Sequence, residues 1–223
     1  MAEWCRAQLA RRHDTPVRIR SWLVGALAVA GCGGEAMDSA DGLIEAAEAT
    51  GNPCLLALAL GAYGMAFRDA DPVGALNAGG RGLVIAQDSG NRTIASVLAE
   101  FLARLEAEQG GTVSAFDHLT LSIRNFHNAG DATTIRVPLA VLAVLFDRLG
   151  RYEPAATIAG FALSPLTAAI PEFTTAITHL RDVLGDQTYE SVARKGETMT
   201  TAAMATYAYD QIDQARTELE HPS

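Results

Sequence analysis

The chain has 223 residues, of which 49% are hydrophobic and 19% charged, a composition typical of a folded protein and not of a disordered one. Its formal net charge of −9 argues against a nucleic-acid-binding domain, because such a domain needs a basic face. Alanine is abundant, with 41 residues, and aromatic residues are scarce, which favours closely packed helices.

The first predicted helix, over 16–30, ends at Gly31 and is followed by Cys32. A basic segment precedes the apolar run 22–30, and small residues precede Cys32, an arrangement that resembles the cleavage site of an exported bacterial lipoprotein. In the alternative interpretation, Gly31 is one of a series of helix-ending glycines, and Cys32 lies in a turn of the folded chain. No apolar run reaches the roughly 20 residues that a membrane-spanning helix needs, so no membrane partner is expected.

The three cysteines, Cys5, Cys32 and Cys54, fit no metal-binding pattern and contain no C-x-x-C motif. An odd number of cysteines without such a pattern is typical of reduced thiols in a cytosolic protein. We therefore expect a cytoplasmic location, and export with a lipid anchor on Cys32 is the alternative.

A repeated interruption of the sequence is its most informative feature. Gly51, Gly90 and Gly130 lie in similar segments, 39 and 40 residues apart, and other helix breakers lie about halfway between them. Glycine can close a helix in the left-handed conformation, and the Asn or Asp that follows can cap the next helix. The pattern therefore predicts helices of fewer than about 20 residues, joined by short turns. The intervening breakers are Asp71-Pro72, Gly110-Gly111 and Gly150-Arg151.

The segments between these breakers show helical periodicity and not strand periodicity. The apolar stripes include Leu60 in the segment after Gly51 and Leu139, Leu142 and Phe146 in the segment after Gly130. We expect these four residues to be buried between helices. A lone amphipathic helix cannot bury such a stripe, but stacked hairpins can. The predicted fold is therefore all-α, a right-handed α-solenoid of antiparallel helical hairpins without a sheet. Helices are predicted over 16–30, 38–49, 53–69, 72–88, 92–108, 112–128, 132–149 and 152–163.

The periodicity is lost near the C-terminus, where two prolines interrupt the chain. We therefore predict helical hairpin repeats with a period of about 40 over 1–163, and irregular C-terminal capping helices of the same domain over 164–223. Within the repeats, Pro138 is expected to kink the helix 132–149. The capping helices are predicted over 172–183, 186–195 and 200–219.

Two parts of the sequence resemble known families. The segment 149–156, Leu-Gly-Arg-Tyr-Glu-Pro-Ala-Ala, resembles the turn of a tetratricopeptide (TPR) hairpin, although the repeat here is longer than the family's roughly 34 residues. The segments 184–190, 196–200 and 207–208 resemble the extreme C-terminus of large actinobacterial regulators. Those regulators carry a signal-transduction ATPase, a TPR-like tail and often an adenylate-cyclase-like or LuxR-type DNA-binding domain. The resemblance extends over about 22–219.

This resemblance implies a TPR-like module for protein–protein or ligand sensing in a cytosolic regulator of transcription or cyclic-nucleotide signalling. The implied partner is an ATPase or cyclase-like domain, acting in cis or in trans. The sequence contains no G-x-x-x-x-G-K-[ST] phosphate loop and no basic recognition helix of the LuxR type, so it resembles the tail alone. Direct binding of nucleic acid is not expected.

No combination of residues indicates catalysis. The five histidines form no H-E-x-x-H motif, and no G-x-S-x-G motif is present, so no enzymatic activity, metal or cofactor is expected. The run Gly79-Gly80-Arg81-Gly82 follows a predicted helix and not a strand. It therefore indicates close helix packing or a local break, and not a phosphate loop.

A second stripe, on the first helix of each hairpin, carries small residues with a few charged ones. We interpret the small residues, such as Ala57, Gly61 and Gly64, as positions where neighbouring helices approach closely. The charged residues are either ordinary surface residues or a binding face, because the first helices of TPR-like solenoids line the concave surface. As a binding face they would hold a protein or a small anionic ligand. The candidate residues are Arg68, Ser96, Glu100, Arg136 and Asp147.

Overall fold

The computed structural model describes residues 16–220, and every regular element in that range is helical, without a β-strand. The predicted all-α class is therefore confirmed. The helices form two compact units, and the division between them falls after Leu105. The change from repeats to capping helices at residue 163 stays a prediction. Cys5 lies outside the described residues.

The first unit consists of helices whose boundaries follow the predicted breakers closely. Asn52 and Asp71 cap their helices as predicted, because their side-chain oxygens accept hydrogen bonds from backbone N–H groups two or three residues later. A proline follows each cap at the first helical position, where its missing N–H is not needed. The helices are α1 (Val17–Val29), α2 (Gly33–Ala40), α3 (Leu43–Ala49), α4 (Pro53–Phe67), α5 (Pro72–Asp88) and α6 (Arg92–Glu108), of which the last continues past the division.

Helix α1 is part of the core of the first unit. Leu23, Val24 and Leu27 are at most 3% exposed and pack in one cluster with buried residues of α2, α3 and α4. Gly31 ends the α1 segment with a φ of 76°, and Cys32 follows in the turn before α2. The interpretation that Cys32 lies in a turn after a helix-ending glycine is therefore confirmed.

The prediction of a single helix over 38–49 is wrong. The chain forms two short helices, α2 and α3, separated at Asp41 and Gly42. Asp41 leaves the helical region with a ψ of 127°, and Gly42 has a φ of 65°. Glycine costs about 1 kcal/mol more than alanine inside a helix and adopts positive φ freely, so the chain turns here.

The second unit contains the remaining helices. Leu139, Leu142 and Phe146 of the predicted apolar stripe have no exposed surface here, and Leu60 has none in the first unit, so the predicted burial is confirmed. All six predicted helix-ending glycines along the chain have a φ between 64° and 82°. The helices are α7 (Thr112–Asn128), α8 (Arg136–Arg148), α9 (Tyr152–Ala162), α10 (Pro171–Leu184), α11 (Asp186–Glu197) and α12 (Thr201–Glu220), with a short 3-10 helix at Thr167–Ala169.

Helix α8 begins later than predicted. A turn occupies 132–135, and the α-helix starts at Arg136 instead of residue 132. Pro138 therefore lies in the first helical turn, where backbone N–H groups need no partner within the helix. The kink that was expected of a proline inside the helix is consequently not required, and that expectation is corrected.

Asp131 holds the turn before α8. Its Oδ1 atom accepts hydrogen bonds from the backbone N–H groups of Thr133 (3.2 Å) and Thr134 (2.8 Å). The hydrogen bond from the Thr134 backbone is the main reason why the pKa of Asp131 is lowered, and further bonds from Thr134 and Thr133 act in the same direction. The carboxylate form is therefore the one that stabilises the turn.

Replacing Asp131 by alanine is expected to lower the free energy of unfolding by about 1 kcal/mol at neutral pH, because the hydrogen bonds that hold the turn are lost. Since the folded state lowers the pKa of Asp131, this contribution is present above the pKa of the unfolded chain and disappears as the pH falls through the folded pKa. Urea unfolding of wild type and Asp131→Ala at neutral and acidic pH measures it. A difference that persists once the carboxyl is protonated would show that the carboxylate is not what stabilises the turn.

Candidate functional site

The small residues of the second stripe provide close contacts between helices in the first unit. A Cβ atom added to Gly61 would lie 2.6 Å from Leu98 Cδ2, and one added to Gly64 would lie 2.9 Å from Phe101 Cε1. Real Cβ atoms do not approach other atoms so closely. The interpretation of these positions as packing sites is therefore confirmed.

The run 79–82 lies inside the continuous helix α5, so there is no local break and no phosphate loop. A Cβ atom at Gly79 would lie 2.9 Å from Leu102 Cδ2, and one at Gly82 would lie 3.2 Å from the Ala57 carbonyl oxygen. These two glycines therefore serve close packing, as predicted. Gly80, by contrast, has no neighbouring atom within 4 Å of the Cβ position.

The predicted binding residues of the first unit are largely engaged in local contacts. Arg68 forms an ion pair with Asp69 at 3.2 Å. Ser96 is 1% exposed and donates its hydroxyl to the carbonyl of Arg92, one turn earlier on the same helix. Glu100 is 9% exposed and lies 3.5 Å from Arg104.

In the second unit, Asp147 is also largely buried, at 9% exposure. Its Oδ1 lies 2.8 Å from Nδ1 of His179 on α10, and the ring of His179 meets Tyr152 edge-on with centroids 5.8 Å apart. Asp147 thus links α8 to α10. The sequence did not indicate this pair, because its members are 32 residues apart on different helices.

Arg136 is held in a defined position at the start of α8. Its guanidinium lies over the ring of Phe161 at 4.8 Å, and its Nη1 donates to the carbonyls of Phe161 and Leu163 at the end of α9. These contacts orient the side chain and leave other N–H groups of the guanidinium for further acceptors. No carboxylate in the described part of the chain forms an ion pair with it.

Arg136 lines a cavity of about 340 Å³, which we call the arginine cleft. The cleft lies among α8, α9, α10 and α11, all in the second unit. Two more arginines, Arg181 and Arg194, line it together with Glu190 and Glu197. The positive charges of its lining therefore exceed the negative ones by one, in a chain whose net charge is −9.

The three arginines differ in their partners. Arg181 binds the carboxylates of Glu190 and Asp186, which raise the pKa of its guanidinium. Its guanidinium also lies 4.4 Å from the centre of the Tyr189 ring, and burial raises the pKa of that phenol. Arg194 is exposed and, within the described residues, forms no ion pair. Arg136 and Arg194 are thus the two cations of the cleft that a bound anion could neutralise.

The cleft depends on an unusually close contact between α9 and α11. A Cβ atom at Gly160 would overlap the carbonyl oxygen of Ala193, and one at Gly196 would overlap the carbonyl oxygen of Thr157, both at well under 3.0 Å. Only glycine at both positions lets the two backbones approach in this way. This contact brings Arg194 and Glu197 next to Gly160 and Phe161.

Sequence reasoning found Arg136 but missed the other residues of the arginine cleft. Arg181, Tyr189 and Arg194 were assigned only to capping helices, because the repeat is lost there. The available signal was a single glycine, Gly160, inside the predicted helix 152–163 of an alanine-rich chain, whereas Gly196 directly followed the predicted helix 186–195. Glycine in a helix interior is costly, and close helix contact explains it.

Other titratable groups show no metal site. Among residues 16–220, no group of three or more His, Cys, Asp or Glu side chains could hold a metal ion. His118 instead pairs with Glu106 at 2.7 Å between Nδ1 and Oε2. His13 and His221 lie outside the described residues.

Over residues 16–220, no helix combines the length and apolar character needed to cross a bilayer.

Comparison of the chain with protein-family models, with curated proteins and with solved structures found no match in any of the three. The resemblance to the tail of actinobacterial regulators therefore stays a prediction.

Proposed function

We propose that this chain is a non-enzymatic, TPR-like binding module and that the arginine cleft holds an anionic group, either on a protein or on a small ligand. The proposed architecture is the right-handed α-solenoid of helical hairpins. Its support is the regular alternation of helices and glycine turns between residues 31 and 150. The proposed role is sensing, in which occupancy of the cleft is transmitted to another domain.

The observation that carries the proposal is the position of Arg136. Its guanidinium is fixed by Phe161 and by two backbone carbonyls, and no described carboxylate neutralises it. A side chain that is already ordered loses little entropy when it binds a ligand. A planar guanidinium also matches the geometry of carboxylate and phosphate groups.

The dimensions and charge of the cleft restrict its ligand. A volume of about 340 Å³ is at the lower end of the range for small-molecule sites, which suits one anionic group with a short attached body. Glu190 and Glu197 oppose a highly charged anion, although Glu190 is already bound to Arg181. A carboxylate or a single phosphate is the ligand that fits this balance.

The wider setting follows from the resemblance of the TPR-type turn at 149–156 and of the C-terminal segments. We propose a cytosolic regulator of transcription or cyclic-nucleotide signalling, with an ATPase or cyclase-like domain as partner in cis or in trans. The alternative, an exported lipoprotein anchored through Cys32, requires cleavage before Cys32. That cleavage would remove α1 and expose the buried residues that α1 covers.

Replacing Arg194 or Arg136 by glutamine is expected to weaken anion binding about tenfold, because one charge-assisted hydrogen bond is worth roughly 1.5–3 kcal/mol. Arg194→Gln is the cleaner variant, since Arg194 is exposed and forms no ion pair with a described residue. Isothermal titration calorimetry with inorganic phosphate, adenosine monophosphate and a short glutamate peptide measures the affinities.

Arg148→Gln is the matched control, because Arg148 lies on the same helix as Arg136 but does not line the cleft. Circular dichroism checks that each variant folds. If none of the three anions binds the wild type at millimolar concentration, or if Arg194→Gln and Arg148→Gln bind them equally, the cleft is not an anion site. Turnover of a nucleotide by the purified chain would contradict the non-enzymatic assignment.

A further inference from the structure

The first unit contains a separate and larger cavity, of about 680 Å³, which we call the aromatic cleft. The rings of Tyr63 and Phe67, one helical turn apart on α4, are stacked with centroids 4.3 Å apart and planes inclined by 21°. Both residues are only partly buried and both line the cleft, together with Met37 and Ile44. A ligand in this cavity therefore meets an aromatic and aliphatic surface.

Three carboxylates, those of Asp38, Asp41 and Glu45, add negative charge to the lining of the aromatic cleft. All three residues are exposed, and none of them forms an ion pair with a residue in the described part of the chain. The guanidinium of Arg20 reaches this region but donates to the backbone carbonyl of Asp41, at 3.0 Å, and not to a carboxylate. The lining of the cavity carries no cationic side chain.

The break between α2 and α3 creates this arrangement. The chain turns at Asp41 and Gly42, and Asp38 in α2, Asp41 in the turn and Glu45 in α3 line one cavity. A continuous helix over 38–49 would follow a different path and would lack this turn. The unpredicted turn is therefore also the feature that shapes the cleft.

We infer that the aromatic cleft binds an organic cation that carries an ammonium group. An ammonium ion is attracted to the faces of Tyr and Phe rings, and hydrocarbon on the same molecule packs against Met37 and Ile44. The carboxylates add an attraction that reaches beyond direct contact. An anion would be repelled by these carboxylates. A bare metal ion would gain nothing from the aromatic and aliphatic surface.

The cation fits the size of the cavity. About 680 Å³ lies inside the range of small-molecule sites, so the ammonium group together with an attached body of several carbon atoms is accommodated. This chemistry belongs both to free amines and to a lysine side chain of another protein. The inference concerns a different unit from the arginine cleft and does not rest on the function proposed there.

The test compares choline with 3,3-dimethylbutan-1-ol, a neutral molecule of the same shape, in titrations of the full chain followed by ligand-observed NMR. The wild type is expected to bind choline measurably more tightly than the neutral alcohol, with an affinity that falls as salt is added. Nα-acetyl-lysine amide forms a second arm of the experiment. Tighter binding of choline assigns the site to a free amine, and tighter binding of the lysine derivative assigns it to a protein side chain.

Two variants locate the site. Glu45→Gln, at an exposed position, and Tyr63→Leu, which keeps an apolar side chain but removes the ring, are each expected to weaken cation binding about threefold to tenfold. Asp88→Asn is the matched control, because it removes the same charge from an exposed position of the first unit outside the cleft. Thermal unfolding of each variant shows whether it is folded.

Three results would overturn the inference. These are the absence of binding of either cation at concentrations up to about 50 mM, equal binding of choline and the neutral alcohol, and equal weakening by Glu45→Gln and Asp88→Asn. Because Glu45 is exposed, its variant remains informative even if Tyr63→Leu fails to fold. None of these results depends on the binding of anions to the arginine cleft.

Discussion

Replacement of Gly196 by alanine is expected to destabilise the second unit by about 3 kcal/mol or more. The added Cβ would overlap the carbonyl oxygen of Thr157, a backbone atom of α9 that cannot rotate away. Relief requires α9 and α11 to move apart, and this separates surfaces that are buried on both helices. Gly160→Ala is expected to act in the same way, because its Cβ would overlap the carbonyl oxygen of Ala193.

Urea unfolding followed by circular dichroism measures this effect. Gly80→Ala is the matched control, since Gly80 is also inside a helix but has no atom within 4 Å of its Cβ position. That variant is expected to be as stable as the wild type or up to about 1 kcal/mol more stable, because alanine is the better helix former. Similar stability of Gly196→Ala and Gly80→Ala would show that α9 and α11 do not approach as closely as described.

The same contact connects folding with the proposed anion site. Gly160 lines the arginine cleft, and Ala193, whose carbonyl it faces, is followed directly by Arg194. A shift of α11 relative to α9 would therefore move Arg194 away from Arg136. We expect Gly160→Ala to weaken anion binding as well as stability, whereas Arg194→Gln changes binding alone.

The turns of this fold were predictable because they depend on local chemistry. Gly51 and Gly90 each close a helix, and the Asn that follows each glycine caps the next helix, as the hydrogen bonds of its side chain show. Such signals involve only a few neighbouring residues and do not require knowledge of the tertiary structure. Gly42 lies about halfway between Gly31 and Gly51, outside the regular spacing that located the other turns, so the pattern did not find the turn at Asp41 and Gly42.

The candidate site was less predictable, because helical periodicity identifies a face but not the neighbour that covers it. Spacing placed Ser96, Arg136 and Asp147 on equivalent faces, yet Ser96 bonds to its own helix and Asp147 is covered by His179 of α10. Of these three residues, Arg136 lines the arginine cleft. The other walls of that cavity come from α10 and α11, which follow a different spacing and were assigned only a capping role.

Replacement of Leu142 by alanine is expected to lower the free energy of unfolding by about 2–5 kcal/mol. Leu142 lies on the apolar stripe of α8 and has no exposed surface, so the shorter side chain loses its contacts and leaves a cavity. Leu142→Met, which nearly preserves the volume, is expected to cost less than about 1.5 kcal/mol.

Leu219→Ala is the control for burial, because it makes the same leucine-to-alanine change at an exposed position. Leu219 lies on α12 and is 43% exposed, so its truncation is expected to change the stability by only about 0.5 kcal/mol. Urea unfolding of the three variants beside the wild type gives the comparison. A loss below about 1 kcal/mol for Leu142→Ala, or equal losses at Leu142 and Leu219, would mean that α8 does not present its stripe to the core. The ordering expected from the structure is Leu142→Ala first, then Leu142→Met, then Leu219→Ala, because the cost follows the buried contacts that each variant removes.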